Sequence, residues 1–393
     1  MNARSIRFVF ADPPGFSGQR NAARIIWDGM RARGWHCDLL PLPTADRTSD
    51  TGRGLVSSAL AVGRIIQAWL AAIRLRRRAP AGITFLACSQ TVAGLVRDGV
   101  AFTILTAGRR GGAAVISLNG NLFASWSRRG FCARALRWLA RNASIITVVG
   151  DGQRDRLVAL GIPARMVRVI PNTADCPVCT VKATTAKQRE VDRPVRILYL
   201  SSLITSKGYP MLLEALRMIS DRDGPQLEAV LCGAIVASPH DAFGSESTAR
   251  TWIDSITSEI NRSQRVTVRW LPGAVGAAKN DLLARCHIFT LPTQYPVEAQ
   301  PLSLLEAMAS GCAIVATGIA EIPTILPPDT KTAVLLDHPT PASLAAAIER
   351  LAADADTRTA MAVTARDRFE KLFAPHRHLD AWESIFAGLG TPS

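Results

Sequence analysis

Two successive halves of alternating strands and helices, each built on a parallel sheet, are what this 393-residue chain predicts: an α/β protein. Three observations carry that expectation. Short apolar runs of strand length alternate with helix-period runs from Ile6 to the last segment. A polar stretch at 176–193, with Thr, Lys, Gln, Arg and Asp, divides the alternation in two and reads as a linker. Residues 287–317 compress strand, loop, helix and strand into one unit. Its loop must open at the carboxyl edge of a parallel sheet, where such folds bind ligands.

In the first half, Ile6 to Phe10 forms a strand that runs into Asp12-Pro-Pro-Gly15-Phe-Ser-Gly18, a loop rich in Gly and Pro. A helix over 21–33 follows, with Ile25, Ile26 and Met30 on one face and Gly34 as its stop. Residues 37–40 give the second strand and 43–54 a polar loop. The segment 55–75 is the most membrane-like in the chain, yet Arg64 and Gln67 interrupt it, and a span needs ~20 mostly uncharged residues. Its Ile65, Ile66, Trp69, Leu70 and Ile73 recur at helical spacing, and it ends in Arg74, Arg76, Arg77 and Arg78. It reads as a core-packed helix, with a basic amphipathic helix on a membrane surface as the alternative. Further strands fall at 81–87, 113–118, 144–149 and 167–170, with helices after Ser89, around Leu136, Trp138 and Leu139, and over 151–160.

Beyond the polar stretch, 195–200 is a strand and Lys207 opens a helix to Ile219, with Pro210 in the first turn. Strands at 226–233 and 266–270 and helices at 252–260 and 279–285 lead to the strand 287–291. Leu302, Leu305, Met308 and Ala309 then recur at helical spacing, Gly311 stops that helix, and 313–317 is the next buried strand. A strand at 333–336 and helices at 341–352 and 357–371 complete the half. The last segment carries His376, His378, Trp382, Ile385 and Phe386; two histidines without acidic or thiol companions read as a helix face, not a metal site. No repeat of 20–50 residues is visible, which excludes a solenoid.

The net charge of +14 is unevenly spread. Residues 1–190 hold 28 Lys/Arg against 10 Asp/Glu, whereas 191–393 hold 18 against 22. A basic front half calls for an acidic partner: nucleic acid, anionic lipid or a phosphate-bearing substrate. Aromatic residues make up only 6% and do not interleave with the basic ones, and no nucleic-acid-binding signature is present, so lipid or phosphorylated substrate is favoured. The eight cysteines follow no framework spacing; Cys232 and Cys312 read as small core residues, and the lone Cys176-Pro-Val-Cys179 pair lacks the second pair of a zinc site. Free thiols in a reducing compartment are expected. The apolar run at the N-terminus is too short for a signal peptide.

Chemistry concentrates between Tyr295 and Thr317, which reads Tyr295-Pro-Val-Glu298-Ala299-Gln300-Pro301-Leu302-Ser303-Leu-Leu-Glu306-Ala-Met-Ala-Ser-Gly-Cys-Ala-Ile-Val-Ala-Thr317. Glu306 stands inside an apolar run, and a buried carboxylate needs partners, which two adjacent sugar hydroxyls would supply. Between Glu298 and Glu306 a helix begins, offering free N–H groups and a positive dipole end to a phosphate. Lys207, in a loop beside another strand's carboxyl end, is likewise placed for a phosphate. A hydroxyl-rich ring at each end and a diphosphate between them describe a nucleotide-sugar.

Glu298, seven residues, Glu306 and then Ala-Met-Ala-Ser-Gly resemble the E-x7-E signature of the retaining family 4 glycosyltransferases of GT-B fold (glycosyl transferases group 1). The run from 144 to Pro171-Asn172-Thr-Ala-Asp175 resembles the end of that family's first domain, and the resemblance is strongest over 197–325. It implies two Rossmann-like domains facing across a cleft: 1–180 binding acceptor, 190–372 binding nucleotide-sugar, and 373–393 a helix crossing back to the first domain. It implies donor contacts from Gly18, Ser202, Lys207, Glu298, Ala299, Gln300, Pro301, Leu302, Ser303 and Glu306, with Glu298 and Lys207 catalytic. Gly15 and Asn119 would face the acceptor. No metal or other cofactor is implied, and the anomeric configuration would be retained.

Two positions depart from the family pattern. The family's Gly-Arg-Leu-x-x-x-Lys-Gly reads Ser201-Ser202-Leu203-Ile-Thr-Ser-Lys207-Gly208 here, removing one cation. A His-Gly at the fourth strand's end reads Asn119-Gly120, and an amide cannot take a proton as imidazole does. Asn119 is either a hydroxyl ligand or a turn residue. The expected activity is transfer of a sugar from a nucleotide-diphosphate sugar to a lipid-linked or polysaccharide precursor, at the cytoplasmic face of the inner membrane. A catalytically silent scaffold of the same fold is the alternative.

Overall fold

Among the described residues, strand-forming runs of Ile, Val, Phe and Leu pair only in parallel, and they do so in two separate six-stranded sheets. The computed structural model describes residues 4–11, 18–43, 55–78, 82–107, 112–190, 193–236 and 242–390, with the backbone alone at 55–61 and 78. Gly15 and most of the polar loop at 43–54 lie outside the described residues.

The chain divides into a unit of residues 1–172 plus 375–393 and a unit of residues 173–374. The first contains β1 (Ser5–Ala11), α1 (Gly18–Ala32), β2 (His36–Leu42), α2 (Leu55–Arg78), β3 (Ile83–Ala87), α3 (Val92–Thr106) and β4 (Ala114–Leu118). It continues with α4 (Phe131–Ala140), β5 (Ile145–Val148), α5 (Asp151–Ala159) and β6 (Val167–Val169). Its sheet has the order β2-β1-β3-β4-β5-β6. Strand residues alternate between two cores. Val9, Leu86, Ile116 and Val148 face α2, α3 and α4, while Ile6, Phe8, Phe85 and Val115 face α1.

The second unit opens with α6 (Val181–Gln188), β7 (Val195–Leu200), α7 (Tyr209–Ser220), β8 (Leu227–Cys232), α8 (Glu246–Ile260), β9 (Val266–Leu271) and α9 (Gly276–Arg285). It proceeds through β10 (Ile288–Leu291), α10 (Leu302–Ala309), β11 (Ala313–Thr317), α11 (Ile322–Ile325), β12 (Val334–Leu336), α12 (Pro341–Ala353) and α13 (Ala355–Leu372). Its sheet runs β12-β11-β10-β7-β8-β9, so β7 and β10 are neighbours at the centre. Parallel strands covered on both faces read as continuous apolar runs, which is why 287–291 and 313–317 were legible.

The expected linker is corrected. Residues 181–188 are helix α6, capped by Thr180 and packed within the second unit, with Lys187 and Gln188 buried. Polarity there does not mean exposure, because the heads of Lys187 and Gln188 meet backbone carbonyls. Lys187 Nζ donates to Ser310 O at 2.6 Å, and Gln188 Nε2 donates to His287 O at 3.0 Å and Gly311 O at 2.9 Å. Helix starts also differ: α8 begins at Glu246 and α9 at Gly276, each ahead of the expected residue.

The last helix, α14 (Pro375–Gly390), returns to the first unit. Trp382 and Phe386 enter the core of Phe8, Phe85 and Trp35, and Arg33 forms ion pairs with Asp380 and Glu383 at 2.7 Å each. Truncating such an aromatic costs about 3–5 kcal/mol, far more than exposed ion pairs supply.

Two buried histidines make stability depend on pH. His378 Nδ1–H donates to Pro171 O at 2.7 Å, and burial holds its pKa down at about 4 against the ordinary 6.5. His287 Nδ1 accepts from Arg196 N at 2.9 Å; burial, then the charges of Arg196, Arg358 and Lys187, hold its pKa down at about 3. The unfolded imidazoles take protons first. Stability from these two groups is therefore full above about pH 6.5 and falls as pH drops below it, down to about pH 4 for His378 and about pH 3 for His287, by up to about 1.4 kcal/mol per pH unit per histidine. Urea denaturation at pH 7 and 4.5 measures the loss, and His378→Gln is expected to flatten the slope for the first unit.

Candidate active site

The loop leaving β7 is pinned against the end of β10 by sterics. Gly208 has φ 87°, a left-handed conformation, and a Cβ there would lie 2.2 Å from Pro292 O. Glycine is thus required twice over, by dihedral and by space. Gln294 N donates to Ser206 O at 2.7 Å, tying the same two loops. Beneath them the fully buried Tyr199 hydroxyl donates to Lys207 O at 3.2 Å and lies 3.5 Å from Ser202 O. Burial pushes that phenol well above its usual range, so it remains a neutral donor. Lys207 ends a single 3-10 turn over Thr205–Lys207; the helix itself starts at Tyr209, two residues later than the sequence suggests.

This pinning sets Lys207 Nζ 3.4 Å from Glu298 Oε2 and 5.0 Å from the Tyr295 ring centroid. Thr293 Oγ1 donates to the same carboxylate oxygen at 3.4 Å. The two side chains expected to be catalytic are therefore each other's partners, and both are largely shielded, at 18% and 11% exposure.

Ala299, Gln300 and Pro301 are buried after Glu298, and Pro301 is the N-cap of α10. Proline offers no side-chain acceptor, so the first-turn N–H groups around Leu302 and Ser303 have no capping partner of their own and no intrahelical one. Both residues are half-buried. The remainder of α10 is buried on all sides, including Glu306.

Glu306 meets a cation that the sequence reading did not anticipate. Lys279 Nζ of α9 lies 2.5 Å from Glu306 Oε1 and donates to Asp175 O at 3.1 Å. Burial pushes the Glu306 carboxyl above its ordinary range, and Lys279 opposes that shift. A signal did exist. The chain has six lysines beside 40 arginines, and Lys279 is the one lysine between Lys207 and Lys331.

In the first unit, Asn119 follows β4. Ser117 Oγ donates to Asn119 Oδ1 at 3.1 Å, which leaves the amide N–H groups as the side chain's offering. Gly120 O accepts from Gln90 Nε2 and Gln153 Nε2 at 2.8 Å each, fixing this turn to α3 and α5 sides of the sheet. Gly18 begins α1 with open space where a Cβ would stand, and Gln19 Nε2 donates to Cys88 O at 3.0 Å, so the start of α1 is tied to the end of β3. Among the described residues, no group of three or more His, Cys, Asp or Glu is placed to hold a metal ion. All eight cysteines are free thiols, with Cys232 and Cys312 in the core.

Two parallel-sheet units, a last helix returning to the first, and a paired-carboxylate edge in the second define a GT-B protein. Residues 181–368 match the family model for glycosyl transferases group 1. The chain is similar in fold to HepE of Anabaena in complex with UDP and glucose, at 17% identity over 97% of this chain and 99% of that one, TM-score 0.68. It is similar to sucrose-phosphate synthase of Thermosynechococcus elongatus, at 17% identity over 98% and 99%, TM-score 0.70. It also resembles the lipopolysaccharide outer core galactosyltransferase WaaB in its apo form, at 15% identity over 98% and 99%, TM-score 0.61. No curated protein matches the chain by sequence. At such identities the structural likeness establishes the GT-B fold, and with the family model it supports a glycosyltransferase.

Removing one member of a buried pair strands the other. Lys279→Met is expected to cost about 3 kcal/mol, and the double variant Lys279→Met/Glu306→Gln to recover most of it. Denaturant titration of the four proteins in the cycle measures the coupling.

Proposed function

We propose that the protein transfers a hexose from a nucleotide-diphosphate sugar to an acceptor, with retention of configuration and without a metal, as a family 4 glycosyltransferase. The supporting observation is the carboxyl edge of the second unit, where Lys207, Glu298, the start of α10 and Glu306 follow one another. Departure of a diphosphate from an anomeric carbon separates a sugar cation from a phosphate anion, so positioning and charge stabilisation are what the protein must supply.

In this reading Lys207 exchanges Glu298 for the diphosphate, whose oxygens also take the free N–H groups of Leu302 and Ser303. Glu298, released from its ion pair, accepts from a hydroxyl of the transferred sugar and favours the developing cation. Glu306 accepts from the ribose hydroxyls while Lys279 keeps it ionised. The anomeric C–O bond breaks, its electron pair leaves with the diphosphate, and the acceptor oxygen takes its place and gives its proton to the departing diphosphate. Ser202 and the backbone around it, with Ala299, Gln300 and Gly18, complete the donor contacts; Asn119 and Gly15 meet the acceptor. The acceptor is a lipid-linked or polysaccharide precursor of the cell surface, met by a protein held peripherally at the inner face of the membrane. UDP in the HepE complex makes uridine nucleotides the first donors to test.

A second reading rests on Ser202 and Asn119, which stand where the family pattern has a cation and an imidazole. It makes the protein a catalytically silent scaffold in a polysaccharide assembly complex, one that binds donor without turning it over.

A nucleotide-sugar panel screened by thermal shift is expected to yield one class that raises the melting temperature of wild type and not of Glu306→Ala. With that donor and an acceptor, Lys207→Ala is expected to lower kcat about 10²–10³-fold, measured as nucleoside diphosphate released. Binding without release selects the scaffold, and no shift with any donor overturns both readings.

A further inference from the structure

From Leu55 to Arg141 the sequence contains thirteen arginines and one acid, Asp98. That acid is fully buried and spent on Arg97 and on Ser89 N, which donates to it at 2.7 Å. The same stretch builds the helix layer of α2, α3 and α4. The three lie side by side on one face of the first sheet, sharing a single core through Ala72, Phe102 and Leu136.

The outward side of this layer is apolar where a solvated face would be polar. On α2, Val62, Ile66 and Leu70 recur every fourth residue and are 55%, 46% and 46% exposed. Phe131 and Trp138 of α4 are 52% and 47% exposed, and Val96 of α3 is 43% exposed. Of the apolar stripe that predicts a packed helix or a membrane-surface one, Trp69 packs against the core beside the buried Ala68 and Ala72, whereas Ile66 and Leu70 are turned out. Small residues let α2 approach the sheet and α3 closely, at the expense of presenting its bulky ones to solvent.

Exposed arginines stand beside this ridge at helical spacing: Arg74 and Arg77, four and seven residues on from Leu70 on α2, and Arg134 and Arg141, three residues on from Phe131 and Trp138. No helix among the described residues is long and apolar enough to cross a membrane. Apolar side chains flanked by cations, with no exposed acid between them, match the boundary between anionic headgroups and acyl chains. Each arginine can keep its charge among phosphates while its stem lies along the apolar ridge. A polyanion such as RNA would satisfy the charges and leave the ridge uncovered; a second copy would set cation against cation.

We propose that the outward face of α2, α3 and α4 is a docking surface for an anionic lipid bilayer, with Ile66, Leu70, Phe131 and Trp138 entering the interface and the arginines binding headgroup phosphates. This deepens the membrane placement proposed above, gives it a definite face, and does not depend on turnover.

Co-sedimentation of the full chain with vesicles tests it. Vesicles of phosphatidylglycerol and phosphatidylcholine are expected to bind at least about ten-fold more protein than phosphatidylcholine alone. Ile66→Ser/Leu70→Ser and Arg74→Glu/Arg77→Glu should each lower binding by at least about ten-fold, with the melting temperature and the binding of whichever donor stabilises wild type unchanged. Trp138 fluorescence, read against Trp138→Phe, should shift to the blue on anionic vesicles only. Equal binding by all variants, no binding to anionic vesicles, displacement by single-stranded RNA in preference to lipid, or a dimer in solution that the same variants dissolve would each overturn the proposal. Loss of donor binding in wild type with vesicle binding intact would overturn the glycosyltransferase reading and leave this one standing.

Discussion

The second unit's chemistry hangs on one steric constraint, the contact between Gly208 and Pro292. Any side chain at 208 would push the loop after β7 away from the end of β10, and Lys207 with it. Because β7 and β10 are neighbours in the sheet, this contact converts two loops distant in sequence into one edge. A similar approach occurs one strand over, where a Cβ on Gly233 would lie 1.8 Å from Ser201 O. Strand order brings the loops near; glycine at the two closest points lets them touch. The buried Tyr199 hydroxyl then holds the far end of the loop through the Lys207 carbonyl.

Given that edge, each carboxylate finds a lysine: Glu298 with Lys207, Glu306 with Lys279. Buried ion pairs are poor sources of stability, since desolvation offsets most of their attraction. The apolar strands and aromatic cores hold the fold, and in the proposed reaction these pairs serve as charges kept ready. Without Lys279, burial alone would favour a protonated Glu306, which accepts fewer hydroxyl hydrogen bonds than a carboxylate.

Much of this was legible in the sequence, for definite reasons. Parallel strands buried on both faces are continuous apolar runs, so 195–200, 287–291 and 313–317 declared themselves. Glu306 was conspicuous because it breaks such a pattern. Residues 181–188 misled because the heads of Lys187 and Gln188 are satisfied inside by carbonyls at His287, Ser310 and Gly311, about a hundred residues away in the chain. Lys279 was missed for the same reason: its partner sits on another helix, and nothing local to α9 marks the pairing. For α2 periodicity finds an apolar stripe without saying which of its members, alanines or isoleucines, face inward.

The choice of lysine at these two positions bears on the chemistry. This chain uses arginine almost everywhere a cation is needed, 40 times against six. An arginine opposite Glu298 or Glu306 would grip both carboxylate oxygens in a planar fork, and breaking that fork to admit a substrate hydroxyl would lose two hydrogen bonds at once. An ammonium is a point charge on a flexible stem. It can hold one carboxylate oxygen, leave the other open, and swing toward a phosphate without a geometric penalty. In the proposed reaction lysine is therefore the cation suited to a carboxylate that must keep its charge and still give up its partner when a substrate arrives.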